Sequence, residues 1–214
     1  MEQVEQRTEE WFKQRLGLFT SSEIYKLMGT PRSKSEVFTD TAKTYIMQKV
    51  AERLTGVRDE TPTTKAMQWG IDNEPLAKEW VGKINGWEIH ETSFVKHPTL
   101  NYGGSGDGWI REIDAAIEVK CLNTANHLQE VRYSVTSEDL KANYPNRYWQ
   151  LTSDAYLRGC SAMVMCWFDP RLDNDFGLMI RKYEVSENDI NFMLEKIAAA
   201  EEEFNEQINF FTKP

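Results

Sequence analysis

The stretch from Gly103 to Asn123, G-G-S-G-D-G-W-I-R-E-I-D-A-A-I-E-V-K-C-L-N, limits the fold more than any other part of the chain. It begins as a glycine-rich turn carrying Asp107 and continues into a short apolar run, Ala115 to Cys121. Strand side chains alternate between faces, so Ile117, Val119 and Cys121 are expected on one side and Glu118 and Lys120 on the other. A carboxylate and an ammonium then leave the same face, and a second carboxylate arrives from the turn. Two carboxylates can hold a hard divalent cation through oxygen, and a lysine beside them can position or deprotonate a water. That set suits phosphodiester cleavage. The residues alone fit a half-exposed strand with an ordinary Glu–Lys pair equally well, since short patterns recur by chance. Asp139-Leu140-Lys141 matches the same spacing in a polar run without strand character.

The 214 residues suit one domain, 1–214, with a sizeable core. No apolar run is long enough to span a bilayer, and the acidic start, M-E-Q-V-E-Q-R-T-E-E, does not read as an export signal. A cytoplasmic setting follows as the expectation. Cys121, Cys160 and Cys166 are then read as reduced thiols in buried strands, and without a C-x-x-C pair a zinc ribbon or iron–sulfur cluster is disfavoured. A formal charge of −9 argues against a general nucleic-acid coat protein but allows an enzyme with a local basic track.

Along the chain, Thr8 is placed to cap a short helix whose buried face holds Trp11, Phe12 and Leu16, and Gly17 breaks it. A second helix is expected to start at Thr20-Ser21-Ser22, with Ile24, Leu27 and Met28 as its stripe and Gly29 as its stop. Its hydroxyls serve as a cap or, with Arg15, as an anion site. Thr30 to Ser35 is a basic loop. A helix over Phe38–Leu54 buries Ala42, Tyr45, Ile46, Val50 and Leu54 and ends at Gly56. Val57 to Lys65 reads as loop. Met67–Lys83 is helical with Trp69, Leu76, Ala77, Trp80 and Val81 inward, and Pro75 predicts a start near Asn73 or a kink. Trp87–Val95 alternates as a strand. Thr124–Ala142 is polar, and Pro145 opens a helix to Arg158 capped by Gly159, with Gln150 one turn from Arg147 and Asp154. Ala162–Phe168 and Leu178–Val185 are strands around F-D-P-R-L-D-N-D-F-G. A last helix after Ser186 buries Ile190, Met193, Leu194, Ile197, Phe204 and Ile208, with Glu201–Glu203 as a solvated face. This order predicts an α/β mixed sheet with helices on its faces.

The ordered set R-L-G-L-F-T-S-S-E-I, P-R-S, L-T-G-V, W-G-I-D-N-E, S-G-D-G, I-E-V-K-C, Q-L-T-S-D-A-Y and F-D-P-R-L covers nearly the whole chain. It resembles the lambda exonuclease and YqaJ-like viral recombinase nucleases of the PD-(D/E)xK superfamily. The resemblance implies a restriction-endonuclease-like core and the following roles. Asp107 and Glu118 would hold metal with the Val119 carbonyl, and Lys120 would be the catalytic lysine. Glu74 would serve a second metal or its water, and Gln150 would sit near the water and scissile phosphate. Arg15 and Ser22 would hold the terminal 5′-phosphate, and Arg32 would touch DNA. Two Mg2+ ions are implied, with Mn2+ as a possible substitute.

The implied activity is 5′-to-3′ digestion of one strand of linear double-stranded DNA to mononucleotides, leaving 3′ tails. The implied partners are DNA ends and a phage-type single-strand annealing protein, the implied assembly a ring-shaped homotrimer, and the implied setting a bacterial host cell. Two other readings stand beside it: a site- or structure-specific endonuclease on the same core, and a non-catalytic DNA-end binding module. The chain departs from the family in three places. Gly106 stands where the family has proline, which is expected to loosen the turn. Asp114 offers a rival acid, ranked below Asp107. Pro75 directly follows Glu74.

Overall fold

The computed structural model describes residues 8–58, 62–173 and 175–213; the expected loop at 57–65, the acidic start and the turn after Phe168 lie partly outside them. In chain order the elements are α1 (Glu9–Arg15), β1 (Phe19–Thr20), a 3-10 helix (Ser21–Leu27), α2 (Asp40–Thr55), α3 (Lys65–Asn85), β2 (Ile89–His90), β3 (Val95–Lys96), β4 (Tyr102–Gly104), β5 (Gly108–Ile110), a 3-10 turn (Arg111–Ile113), β6 (Ala115–Lys120), α4 (Thr124–Arg132), α5 (Ser137–Asn143), α6 (Pro145–Arg158), β7 (Ala162–Phe168), β8 (Leu178–Glu184) and α7 (Glu187–Thr212).

The expected strand at Ala115 is the middle of a five-stranded sheet ordered β2-β5-β6-β7-β8. β6 and β7 run parallel, with Glu118 beside Met165 and Lys120 beside Trp167, and the other pairs are antiparallel. A parallel pair needs a long crossover, which α4, α5 and α6 supply. β1, β4 and β3 form a second, smaller sheet.

Alternation along β6 and β7 divides the core. Ile117, Val119, Val164 and Cys166 pack with Ala77 and Val81 of α3 on one face. Ala116, Met163, Met165 and Trp167 pack with Leu151 and Ala155 of α6, with α2 and with α7 on the other. Each fully buried large apolar side chain contributes about 1.5–3 kcal/mol. Glu118 and Lys120 leave β6 on the α6 side, two and four residues beyond Ala116.

Caps occur where the residue types predict them: Thr8 accepts from Trp11 N, and Gly56 and Gly159 end α2 and α6 in the left-handed conformation. Several expectations are corrected. The segment after Thr20 is a 3-10 helix, and Ser21 Oγ turns inward to Ser153 Oγ at 2.7 Å instead of capping it. α3 runs unbroken through Pro75, which leaves the Ile71 carbonyl without its helical donor. Leu76 and Trp80 lie on its outer side at 39% and 48% exposure, and Leu54 is also exposed. Trp87–Val95 divides into β2 and β3, which belong to different sheets. The polar stretch from Thr124 contains α4 and α5, the latter with a full capping box of Thr136 and Asp139. Glu201 is not merely solvated, for it accepts from Asn101 N at 3.2 Å. All three cysteines are free and buried, but of them only Cys166 lies in a strand: Cys121 follows the end of β6 and Cys160 precedes β7.

Candidate active site

Asp107 lies in the turn between β4 and β5, and glycines allow that turn to press against α6. A Cβ at Gly104 would fall 1.9 Å from Ser21 Oγ and 2.5 Å from Asp154 Oδ1. At Gly106 it would fall 3.2–3.3 Å from the Asp154 side chain, and the Gly106 carbonyl accepts from Thr92 Oγ1 at 2.6 Å. These contacts seat the turn against α6. Asp107 Oδ2 accepts from Val119 N at 2.8 Å, which ties the turn to β6.

Glu118 is 1% exposed. Its Oε1 forms an ion pair with Lys120 Nζ, and among the described residues its Oε2 has no hydrogen-bond partner. An orphaned buried carboxylate oxygen is costly and calls for a cation or a donor. Burial raises the pKa of Glu118, against the pull of Lys120. Burial and then the charge of Glu118 raise that of Asp107 well above the ordinary carboxylate range. Both shifts have the sign that a bound cation would relieve.

Asp107, Glu118, Val119 and Lys120 line a cavity of about 450 Å3 together with Glu74, Gln150, Arg15 and Ser22. The structure thus brings together every expected site residue but one. Arg32 is exposed on its loop and does not line the cavity. Asp114 is removed as a rival: it sits at φ 46° in the turn before β6, accepts from Ser161 N at 2.9 Å, and lies outside the cavity.

Arg15 donates to Ser105 Oγ at 3.3 Å and Ser22 Oγ at 3.4 Å, and its guanidinium lies 4.0 Å from the centre of the Trp11 ring. Nothing in the sequence marks Trp11 or Ser105 as a site residue. Trp11 carries the signal of a core position, and Ser105 reads as turn. Arg147 also lines the cavity. Glu74 is paired with Lys78 at 2.8 Å, one turn along α3. A wider cavity of about 790 Å3 shares Trp11, Arg15 and Ser22 and adds Lys26, Lys49 and Arg58. Its lysines are matched by Glu23 at 2.5 Å and Glu52 at 2.9 Å, so it is no simple basic track.

Asp107, Glu118 and the Val119 carbonyl are all oxygen donors, which suits a hard cation such as magnesium. The orphaned Glu118 Oε2 and the two raised carboxyls fit one ion there. Among the described residues no group of three or more His, Cys, Asp or Glu side chains is gathered to ring an ion, so an ion held here would draw its remaining oxygens from water or substrate. Glu74, expected at a second ion, is held by Lys78.

No helix among the described residues is long and apolar enough to cross a membrane. Among curated proteins the chain finds no match. Among solved structures, LHK-Exo in complex with dAMP superposes with a TM-score of 0.83 at 25% identity, over 95% of this chain and 96% of that one. A second structure of that alkaline exonuclease, from Laribacter hongkongensis, gives 0.82 at 24% identity with the same coverage. A phage-related exonuclease from Haemophilus somnus 129PT gives 0.74 at 15% identity, over 91% and 96%. The mixed α/β fold is that of PD-(D/E)xK-like exonucleases. The profile of the YqaJ-like viral recombinase domain matches residues 10–160, and the chain belongs to that family.

Proposed function

We propose that this chain, a nuclease of the phage exonuclease kind, digests one strand of linear double-stranded DNA from its 5′ end. Mononucleotides would be released and a 3′ single-stranded tail left. The observation that carries this reading is that Asp107, Glu118, Lys120 and Gln150 share one cavity with the Arg15–Ser22 pair. Asp107, Glu118 and the Val119 carbonyl would hold magnesium or manganese, with Glu74 toward a second ion. When bound, the metal supplies Lewis acidity to the attacking water and the phosphate.

The chain's own groups do the remaining work. Arg15, Ser22 and Ser105 take the oxygens of the terminal phosphate. Trp11 stacked on Arg15 fixes the guanidinium, so that one nucleotide reaches the acids. Gln150 positions the water and Lys120 steadies the negative charge that grows on the phosphate. Water oxygen bonds to phosphorus, the bond to the 3′ oxygen of the terminal nucleotide breaks, and that oxygen takes up a proton while the water gives one to solvent. The new 5′-phosphate then refills the Arg15 pocket. The dAMP in the LHK-Exo complex is a mononucleotide, the product class of this reaction, which supports the release of mononucleotides. A ring-shaped trimer would retain the duplex between cuts, and an annealing protein would load on the 3′ tail.

The test compares 5′-phosphorylated and 5′-hydroxyl linear duplexes, with magnesium and with a chelator. Faster digestion of the phosphorylated end, stopped by the chelator, is expected. Cleavage of a closed circular duplex would favour an endonuclease, and end binding without digestion would favour a binding module.

A further inference from the structure

Arg147 lines the same cavity as Glu118, Lys120 and Gln150 and has no part in the chemistry above. It stands in the first turn of α6, three residues before Gln150. A cation there opposes the helix dipole, which favours acids at an N-terminus. A specific partner holds it nonetheless. Arg147 Nη2 donates to Glu130 Oε1 at 3.1 Å and Nε donates to Glu130 Oε2 at 3.4 Å. Glu130 is buried, and its Oε2 also accepts the indole N–H of the fully buried Trp167 at 2.9 Å. The carboxylate is thus anchored in the core and grips one edge of the guanidinium. Among the described residues Nη1 has no hydrogen-bond acceptor. The other cations of this cavity are engaged: Lys120 with Glu118, and Arg15 with Ser22 and Ser105. The positive charge of Arg147 pulls the Glu118 pKa down, against the larger upward push of burial.

We infer that Arg147 donates from Nη1 to a non-bridging oxygen of the phosphodiester under attack, and that Glu130 is the positioning residue that aims it. This rests on the nuclease reading above. No bond to either residue forms or breaks. The guanidinium offsets charge that builds on the phosphate oxygens as water adds, and its rigid fork costs little ordering when the phosphate arrives. The competing account is an ion pair that only finishes the cavity wall.

The experiment measures single-turnover digestion of a 5′-phosphorylated duplex by the full chain with magnesium, alongside thermal melting. Arg147→Met alone would strand Glu130, so it is paired with Glu130→Gln. The double variant is expected to melt near the wild type and to lose about 100-fold in the rate of the cut, with end binding kept. Arg147→Lys, which keeps the charge and loses the fork, is expected to recover part of that loss. A second readout replaces each non-bridging oxygen of the scissile phosphate by sulfur in turn. The wild type should discriminate between the two diastereomers more strongly than the double variant does. A double variant that cuts at the wild-type rate with unchanged sulfur discrimination overturns the inference, as does a loss that only tracks unfolded protein. A wild-type chain that leaves the duplex intact sinks the nuclease reading itself, and the inference with it.

Discussion

Replacing Gly104 by alanine tests whether the turn that carries Asp107 is seated as tightly as the distances state. The new methyl would lie 1.9 Å from Ser21 Oγ, 2.8 Å from Ser21 Cβ and 2.5 Å from Asp154 Oδ1, where ordinary contact begins near 3.4 Å. Ser21 cannot simply rotate away, because it is 3% exposed and bonded to Ser153. Something must move by more than an ångström. Overpacking of this kind costs about 1–3 kcal/mol. Loss of the Ser21–Ser153 hydrogen bond adds about 1 kcal/mol. A total near 3 kcal/mol lowers the melting temperature by roughly 6–12 °C in a chain of this size. Asp107 follows only three residues later, and a displacement of about 1 Å at a reacting centre is enough for about a 100-fold loss of rate. Calorimetry and duplex digestion measure the two effects. Ser21→Gly removes the two nearest Ser21 atoms and should restore part of both, a coupling of about 1 kcal/mol or more. A Gly104→Ala protein that melts within about 2 °C of the wild type and digests normally would refute the reasoning.

Other outcomes follow from the same geometry. Lys120→Ala should abolish digestion while binding to duplex ends survives, read by gel digestion and by fluorescence anisotropy; a retained rate would remove the lysine from the chemistry. Arg15→Ala should erase the preference for 5′-phosphorylated over 5′-hydroxyl ends more than it slows the cut on hydroxyl ends, so the ratio of the two rates is the measurement. Burial works to raise the Asp169 carboxyl, but hydrogen bonds from Arg171 and Thr124 hold it at about 2. Its folded-state pKa lies below the ordinary value, so it contributes stability above about pH 4 that disappears as pH falls toward 2. The wild type should therefore lose about 1–2 kcal/mol more than Asp169→Asn across that interval in urea titrations, and equal losses would dismiss the fork.

The strand that bears Glu118 and Lys120 was legible because one local rule, alternation, sets both burial and direction. Thr8, Gly56 and Gly159 were legible for a similar reason, since caps depend on one residue's chemistry. The union of Asp107 with Val119 N was not, because it depends on where a loop lands after folding. Glu130 was hidden for a different reason. It lies in a polar stretch where α4 buries only His127, Glu130 and Val131, too few apolar positions to mark a helix. Without that helix, Arg147 reads as an ordinary neighbour of Gln150. Leu76 and Trp80 misled because the helical stripe of α3 is apolar on both sides of Ala77, and composition alone does not say which side faces the sheet. Pro75 suggested a helix start near Asn73 or a kink; α3 instead starts at Lys65, and Ala77 and Val81 beyond the proline pack against the sheet.

The seat of Gly106 has an evolutionary corollary. A Cβ at position 106 would lie 3.2–3.3 Å from the side chain of Asp154, which would have to give by a few tenths of an ångström to admit it. Relatives that carry a proline ring at the first position should therefore carry something shorter than aspartate at the second, and exchanging only one member of the duo between such proteins should yield a misfit that exchanging both repairs.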